Sequence, residues 1–437
     1  MKVAPVKQKT LREEARSRVR KMLLGNRARR ESPQADSLLC QNFEIYVILK
    51  TALKQDDYCA VGCLRYQRFK IIAKEKRYRM FELYREQNAW QMLHTEGNQV
   101  LNAKGEKVRL MGVNCAPLVW MSYSREIMDL ITYACDEWKA NTIRLPLAQD
   151  RWFGFADDQK GVDESGERYR SLVDDIVAAV ACRHKYIILD LHRSNCNRWG
   201  EYISANLSDM NSLVFWKDVA VRYKNHPNVL FDLYNEPYHV DWKTWRDGGE
   251  ITVYYEDSDV GQQIMFDKPE GTELKFMTYL VPGMQRLADT VRGVGAKNIL
   301  VIGGLDWSYE LDGIVNGYAV KDNGGNGIIL DSHLYPCKRL DNWDELVTVA
   351  KEQYPIIIGE CGHYGEAPIP HEWPQKEVST TWVPKMLKWI EDNDYHMTAW
   401  DFHHQAGPCL VENLEDFTPT PYWGVYVKEF LAKHNKR

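Results

Sequence analysis

The sequence predicts a closed (β/α) barrel of eight parallel strands. Eight short apolar runs recur between residues 109 and 402, separated by amphipathic segments long enough for crossover helices. The runs are nearly continuous in apolar residues rather than alternating, as expected of parallel strands covered on both faces. No Gly-x-Gly-x-x-Gly or Walker-type loop follows the first run, which weighs against the second reading, an open doubly wound sheet that binds a dinucleotide or nucleotide.

Residues 1–88 stand apart from this plan. Residues 1–90 carry 21 Lys or Arg against 10 Asp or Glu, so a chain of formal charge −5 divides into a leader of +11 and a remainder of −16. Cations crowd 12–30 and 70–85 around one short apolar piece. Such a segment buries little surface, and 1–88 reads as a basic, poorly packed, partly helical extension, or as sequence before the true start. A basic arm for nucleic acid or an anionic membrane is the sharper alternative. The acidic remainder lacks the clustered cations of a nucleic-acid groove.

From residue 89 the order is regular. Residues 98–108, with Asn102-Ala103-Lys104-Gly105 as turn chemistry, predict a hairpin leading into the first barrel strand at 109–114. Seven more strands are expected at 142–147, 186–192, 229–235, 298–304, 327–333, 355–360 and 396–402. Helices are expected at 123–139, 168–183, 212–226, 275–293, 343–353 and 380–393. The longest spacing, between the fourth and fifth strands, holds an insert at 240–271 with Trp242, Trp245 and a strand-like run at 251–255. On a barrel such an insert rises from the catalytic face, as a substrate-binding lip or a decorative loop.

At 437 residues, 44% hydrophobic and 27% charged, the chain can bury a large core. The 15 Trp and 24 Tyr suit sugar stacking and also suit any large core. The 10 cysteines are scattered, and Cys59 and Cys63 lack a second pair at zinc-site spacing, so they read as buried thiols rather than metal ligands. No stretch approaches the roughly 18 apolar residues of a membrane span, and no basic region leads into an apolar segment and cleavage site.

Two glutamates carry the chemistry. Glu236 ends the run Leu230-Phe231-Asp232-Leu233-Tyr234-Asn235, and Glu360 ends Pro355-Ile356-Ile357-Ile358-Gly359. A carboxylate at the exit of an apolar run can cap the next helix. Two of them on separate strands fit an acid and a nucleophile facing each other across a glycosidic bond. Arg144, His192, Asn235, His333, Tyr335 and Trp400 fall at the same ends of their strands, which converge on one face of a barrel. Each alone reads equally well as core or as a structural ion pair; their common placement does not. His403 and His404 are adjacent and have no His-x-His on an early strand, so a metal-dependent barrel is disfavoured.

Over residues 90–430 the chain resembles glycoside hydrolase family 5, the cellulase-containing family of (β/α)8 barrels. The resemblance rests on Ile143-Arg144-Leu145-Pro146, Leu189-Asp190-Leu191-His192, Leu233-Tyr234-Asn235-Glu236-Pro237, Ser332-His333-Leu334-Tyr335-Pro336, Ile358-Gly359-Glu360 and Ala399-Trp400-Asp401, in that order. It implies that Glu236 is the general acid and base and Glu360 the nucleophile of a retaining reaction. Arg144 and the Tyr335 hydroxyl would hold Glu360 ionised, while Glu236 would need a raised pKa. Asn235 would bond the sugar 2-hydroxyl, His192 and His333 would line the same subsite, and Trp400 would form its floor. Among the loop aromatics Trp120, Trp152, Trp199, Trp307 and Trp373, Trp307 is the favoured further stacking residue.

The resemblance therefore implies hydrolysis of β-linked glycans without a cofactor, with an endo-β-1,4-glucanase expected. A mannanase, xyloglucanase or exo-β-glucosidase shares the catalytic set, and a non-catalytic glycan-binding barrel is the reading from another class. A monomer with a β-linked glycan as partner, secreted by family habit, completes the expectation.

Overall fold

The computed structural model describes residues 92–193, 206–255, 275–336, 342–365 and 377–435. The basic extension 1–88, Trp199 and Trp373 lie outside the described residues. The described residues open on β1 (His94–Glu96) and β2 (Gln99–Leu101), an antiparallel pair. The expected hairpin forms, with Asn102–Gly105 as its turn, Leu101 bridging Lys107 and Val108 N–H donating to Val100 O at 2.9 Å, and a tighter pair, β1 with β2, turns at Gly97 ahead of it. Gly97 sits at φ +57°, which lets the shorter loop form.

Eight parallel strands then close a barrel: β3 (Met111–Asn114), β4 (Thr142–Ala148), β5 (Tyr186–Arg193), β6 (Val229–Asp232), then β9 (Leu300–Gly303), β10 (Ile328–Leu334), β11 (Ile356–Cys361) and β12 (His396–Ala399), with β12 pairing back to β3. The two intervening strands, β7 (Gly249–Tyr255) and β8 (Lys275–Val281), pair antiparallel outside the barrel. The eight expected barrel strands all form. The fourth is shorter than expected, because the chain leaves regular pairing after Asp232 and carries Asn235 and Glu236 on the exit.

Helices cover the outside at Ile127–Asp136, Glu167–Cys182, Asn211–Tyr223, Gly283–Gly293, Ser379–Asp392 and Gly424–His434. The expectation of one helix over 275–293 is corrected. Its first part is β8, whose Tyr279 and Val281 are buried while Thr278 and Leu280 face outward, the period of a strand. Residues 343–353 give only a short α-turn, Trp343–Leu346, and a 3₁₀ turn, Thr348–Ala350. The last helix was not anticipated. No helix among the described residues is long and apolar enough to cross a membrane.

The barrel interior is built in two layers. Towards the N-terminal ends of the strands, Ile188, Leu230, Val301, Ile329 and Ile357 meet Leu93 and Val100 of the hairpin, which plugs that end with an apolar cluster. One pleat repeat further along, the inward positions become Asp190, Asp232 and Asp331. The alternate residues, such as Leu189, Phe231 and Leu330, face the helices and join the larger outer core. Both faces of each strand are thus buried, which is why the runs read as continuous, yet the inner face turns polar towards its C-terminal end.

Candidate active site

Arg144 is the centre of the polar layer and is fully buried. Its Nη1 donates to Glu360 Oε1 at 2.9 Å and to Asn114 Oδ1 at 3.1 Å, its Nε to Asp232 Oδ2 at 3.0 Å and its Nη2 to Asn235 Oδ1 at 2.8 Å. Burial works against the guanidinium charge, but Asp190, Asp232 and Glu360 outweigh it and the pKa is raised. Because arginine only donates, the Asn235 side chain must present oxygen to it, which leaves its amide N–H pair as the outward donor.

Glu360 faces the interior only because β11 is irregular. On β10 and β11 Ser332 pairs with Ile358, but His333 pairs with Glu360, so Gly359 is the extra residue of a bulge. Without it Glu360 would point to the outer helices. The bulge is held by side chains: Gly359 N–H donates to Asp331 Oδ1 at 2.7 Å, and its carbonyl accepts from Asn114 Nδ2 at 2.9 Å and Thr398 Oγ1 at 2.7 Å. A Cβ on Gly359 would lie 2.3 Å from the Asp331 carboxylate oxygens. Gly359→Ala is therefore expected to lower stability by roughly 1–3 kcal/mol and to reduce activity by displacing Glu360, read by thermal unfolding and kcat/KM together. Unchanged values in both would show that the bulge does not fix the carboxylate.

The remaining oxygen of Glu360, Oε2, accepts from the Tyr335 hydroxyl at 2.8 Å. Burial and the neighbouring carboxylate both raise the Tyr335 pKa, so the phenol keeps its proton and stays a donor. His333 reaches the second glutamate: Nδ1 donates to Glu236 Oε1 at 2.8 Å and lies 3.7 Å from Glu360 Oε2, and Nε2 faces Asp331 Oδ2 at 3.3 Å. One carboxylate oxygen of Glu236 and one of Glu360 lie within 4.8 Å of each other.

Burial opposes a charge on His333, but Glu360, Asp331 and Glu236 raise its pKa to about 10, so both ring nitrogens donate. This value lies above the ordinary 6.5. The charge thus contributes stability that is complete below about pH 6.5 and is lost as pH rises through about 10. His333→Gln is expected to flatten the decline in unfolding free energy between neutral pH and pH 10, read by denaturant titration. An unaltered pH dependence would exclude a native imidazolium.

His192 takes the opposite state. Burial lowers its pKa to about 3, so the ring is neutral; Nδ1 donates to Asp190 Oδ2 at 2.8 Å and leaves Nε2 for a ligand. Its ring stacks on Trp400, with centroids 5.4 Å apart and planes at 17°. Trp307 sits in a turn where Asp306, Trp307 and Ser308 all have positive φ near +55°. The turn is tied to the fourth-strand exit, with Trp307 N–H on Pro237 O at 3.0 Å, Ser308 Oγ on Asn235 O at 2.6 Å, and the Trp307 ring stacked on Tyr238 at 4.7 Å.

The structure thus brings Arg144, His192, Asn235, Glu236, His333, Tyr335 and Glu360 into one linked set, with Trp400 on its edge. Trp152 is core, packed on Phe215 and bonded to Asp218, and Trp245 is likewise an anchor, bonded to Gly303 O. Trp120 is 40% exposed beside His403. Sequence reasoning assigned no role to Asn114, Asp190, Asp232 or Asp331. The spacing Asp-x-His in Asp190–His192 and Asp331–His333 was the available signal, since residues two apart share a strand face.

Residues 101–406 match the family described as cellulase, glycosyl hydrolase family 5. The endoglucanase of Paenibacillus polymyxa is 22% identical over 366 residues, covering 74% of this chain and 83% of that protein. Endoglucanase A of Butyrivibrio fibrisolvens is 28% identical over 145 residues, 33% of this chain and 32% of that protein. Among solved structures, a β-glucanase from Saccharophagus degradans superimposes with a TM-score of 0.58 at 20% identity, over 79% of this chain and 94% of its own. The catalytic domain of Thermobifida fusca endoglucanase Cel5A gives a TM-score of 0.54 at 16% identity, over 80% of this chain and 99% of its own. With the family match covering most of the chain and a closed eight-stranded barrel beneath it, this protein belongs to glycosyl hydrolase family 5.

Proposed function

We propose that this chain cleaves β-1,4-linked glucans internally, with retention of anomeric configuration, using Glu360 as nucleophile and Glu236 as general acid and base. The observation that carries the reading is the approach of the two carboxylates to within 4.8 Å. A direct displacement by one carboxylate requires about 5–5.5 Å between the groups, whereas an inverting pair stands about 6.5–9.5 Å apart to admit water.

In the first step Glu360 attacks the anomeric carbon as Glu236 delivers its proton to the leaving oxygen. In the second, Glu236 takes a proton from water, which displaces Glu360 from the sugar. Arg144 and Tyr335 spread the charge of Glu360 before attack, and the Asn235 amide supplies a donor to the sugar 2-hydroxyl as the oxocarbenium-like state develops. The stacked pair of His192 and Trp400 forms a flat floor for the ring, and Trp307 offers a second platform beyond the bond.

The endo-glucanase reading is supported by the relatives named endoglucanases and by the Saccharophagus β-glucanase, which has been solved in complex with cellotetraose. A relative from Xanthomonas campestris is named a major extracellular endoglucanase, which supports secretion here as well. Incubation with soluble cellulose derivatives, mixed-linkage glucan, mannan, xylan and xyloglucan tests the substrate. A rapid fall in viscosity with release of short β-glucan oligosaccharides, whose first-formed anomer is β, is expected. Monosaccharide release without viscosity loss would mean exo action, and a folded but inert protein would refute hydrolysis.

A further inference from the structure

We propose that Asp190 and Asp232 hold a single proton between them, as a carboxyl–carboxylate pair beneath Arg144, and thereby position the arginine for Glu360. Three observations converge on it. The two residues are register partners on the adjacent strands β5 and β6, and both are fully buried. Register partners on neighbouring strands lie about 4.8 Å apart, and these two side chains point to the same interior. Their Oδ2 atoms approach one nitrogen, Arg144 Nη2, at 3.1 Å and 2.9 Å.

Donors are then too few for two carboxylates. Of the five guanidinium N–H groups, two serve Asn114 and Glu360, one serves Asn235 and one, on Nε, serves Asp232. One remains for the approach of both acids to Nη2. Among the described residues, neither Asp190 Oδ1 nor Asp232 Oδ1, both buried, has a hydrogen-bond partner. A hydroxyl on either Oδ1 that donates to the other satisfies both orphan atoms at once, and an unmade buried hydrogen bond is costly enough to drive it.

The charges around the pair lead to the same result. Facing it are Arg144 from β4, Asp331 and His333 from β10, Glu360 from β11, Glu236 beyond β6, and the neutral His192 on β5 itself. Arg144 and His333 do not balance the four buried acids Asp190, Asp232, Asp331 and Glu360, even with Glu236, at the exposed rim, left out of the count. Burial raises the Asp190 carboxyl to about 7 against the pull of Arg144 and His333, and burial followed by repulsion from Asp190 and Asp331 raises Asp232. One retained proton lets Arg144 serve Glu360 without a third full negative charge competing for it.

The pair makes a prediction that a purely structural role does not. In infrared difference spectra of the full chain at neutral pH, wild type minus Asp190→Asn and wild type minus Asp232→Asn should each show the loss of one protonated-carboxyl stretch. Removing either acid leaves the other alone with Arg144 and ionised. Loss in one variant only, or in neither, overturns the shared proton. The raised native pKa also means stability that is lost as pH climbs from the unfolded carboxylate range towards 7. The unfolding constant of wild type should therefore rise roughly tenfold more per pH unit there than that of either variant, and parallel slopes would count against the pair. Should a variant fail to fold, aspartate-labelled wild-type protein carries the test through carboxyl ¹³C resonances. Two signals titrating together support the pair, and two signals fully ionised across neutral pH overturn it.

Discussion

Glu360→Gln is expected to reduce kcat on β-glucan by on the order of 10⁴ to 10⁶, with the fold and glycan affinity retained. The substitution keeps the shape of the side chain. The amide oxygen can still accept from Arg144, and its nitrogen can donate to a rotated Tyr335 hydroxyl. What disappears is the electron pair that bonds to the anomeric carbon. Arg144 stays compensated by Asp190 and Asp232, so the thermal midpoint should move little. A smaller variant, Glu360→Ala, opens room for azide to attack from the same side, and the product should then be the α-glycosyl azide. A Glu360→Gln protein with near wild-type turnover, or azide product of β configuration, would remove Glu360 from the nucleophile role.

Glu236→Gln should show a loss that depends on the leaving group. On polysaccharide, where the departing sugar oxygen needs a proton, kcat/KM should fall by roughly 10² to 10⁴. On an aryl glycoside with an acidic phenol the first step needs little assistance, so that loss should shrink and the glycosyl–Glu360 intermediate should accumulate. Mass spectrometry of the quenched protein would detect the adduct, and azide should release it as the β-glycosyl azide. The His333 contact bears on this variant. Nδ1–H donates to Glu236 Oε1, and the amide oxygen of glutamine can accept the same bond, so the side chain should keep its place. An equal loss on both substrates would mean that Glu236 positions the glycan rather than moving a proton.

The two variants separate because the carboxylates have different neighbours. Glu360 is buried and held by a guanidinium and a phenol, whereas the Glu236 side chain is 26% exposed and meets an imidazolium. The His333 ring stands between the two acids, its Nδ1 2.8 Å from Glu236 Oε1 and 3.7 Å from Glu360 Oε2.

The linear order of the apolar runs pointed to the barrel, because a strand covered on both faces must be apolar at successive positions, and eight such runs separated by helices are the number on which a (β/α)8 barrel closes. The same order placed Arg144, His192, Glu236, His333 and Glu360 at one end, since all parallel strands finish on one face. Tertiary contact decided the rest. Whether Lys275–Val281 is strand or helix depended on Gly249–Tyr255, distant in sequence, because strand hydrogen bonds need a partner while helical ones do not. Which way Glu360 points depended on one extra residue at Gly359, held by Asp331, Asn114 and Thr398 from three other strands. The acids beneath Arg144 acquired meaning only when burial removed water from around them, for the energy of a charge is set by its surroundings and not by its place in the chain.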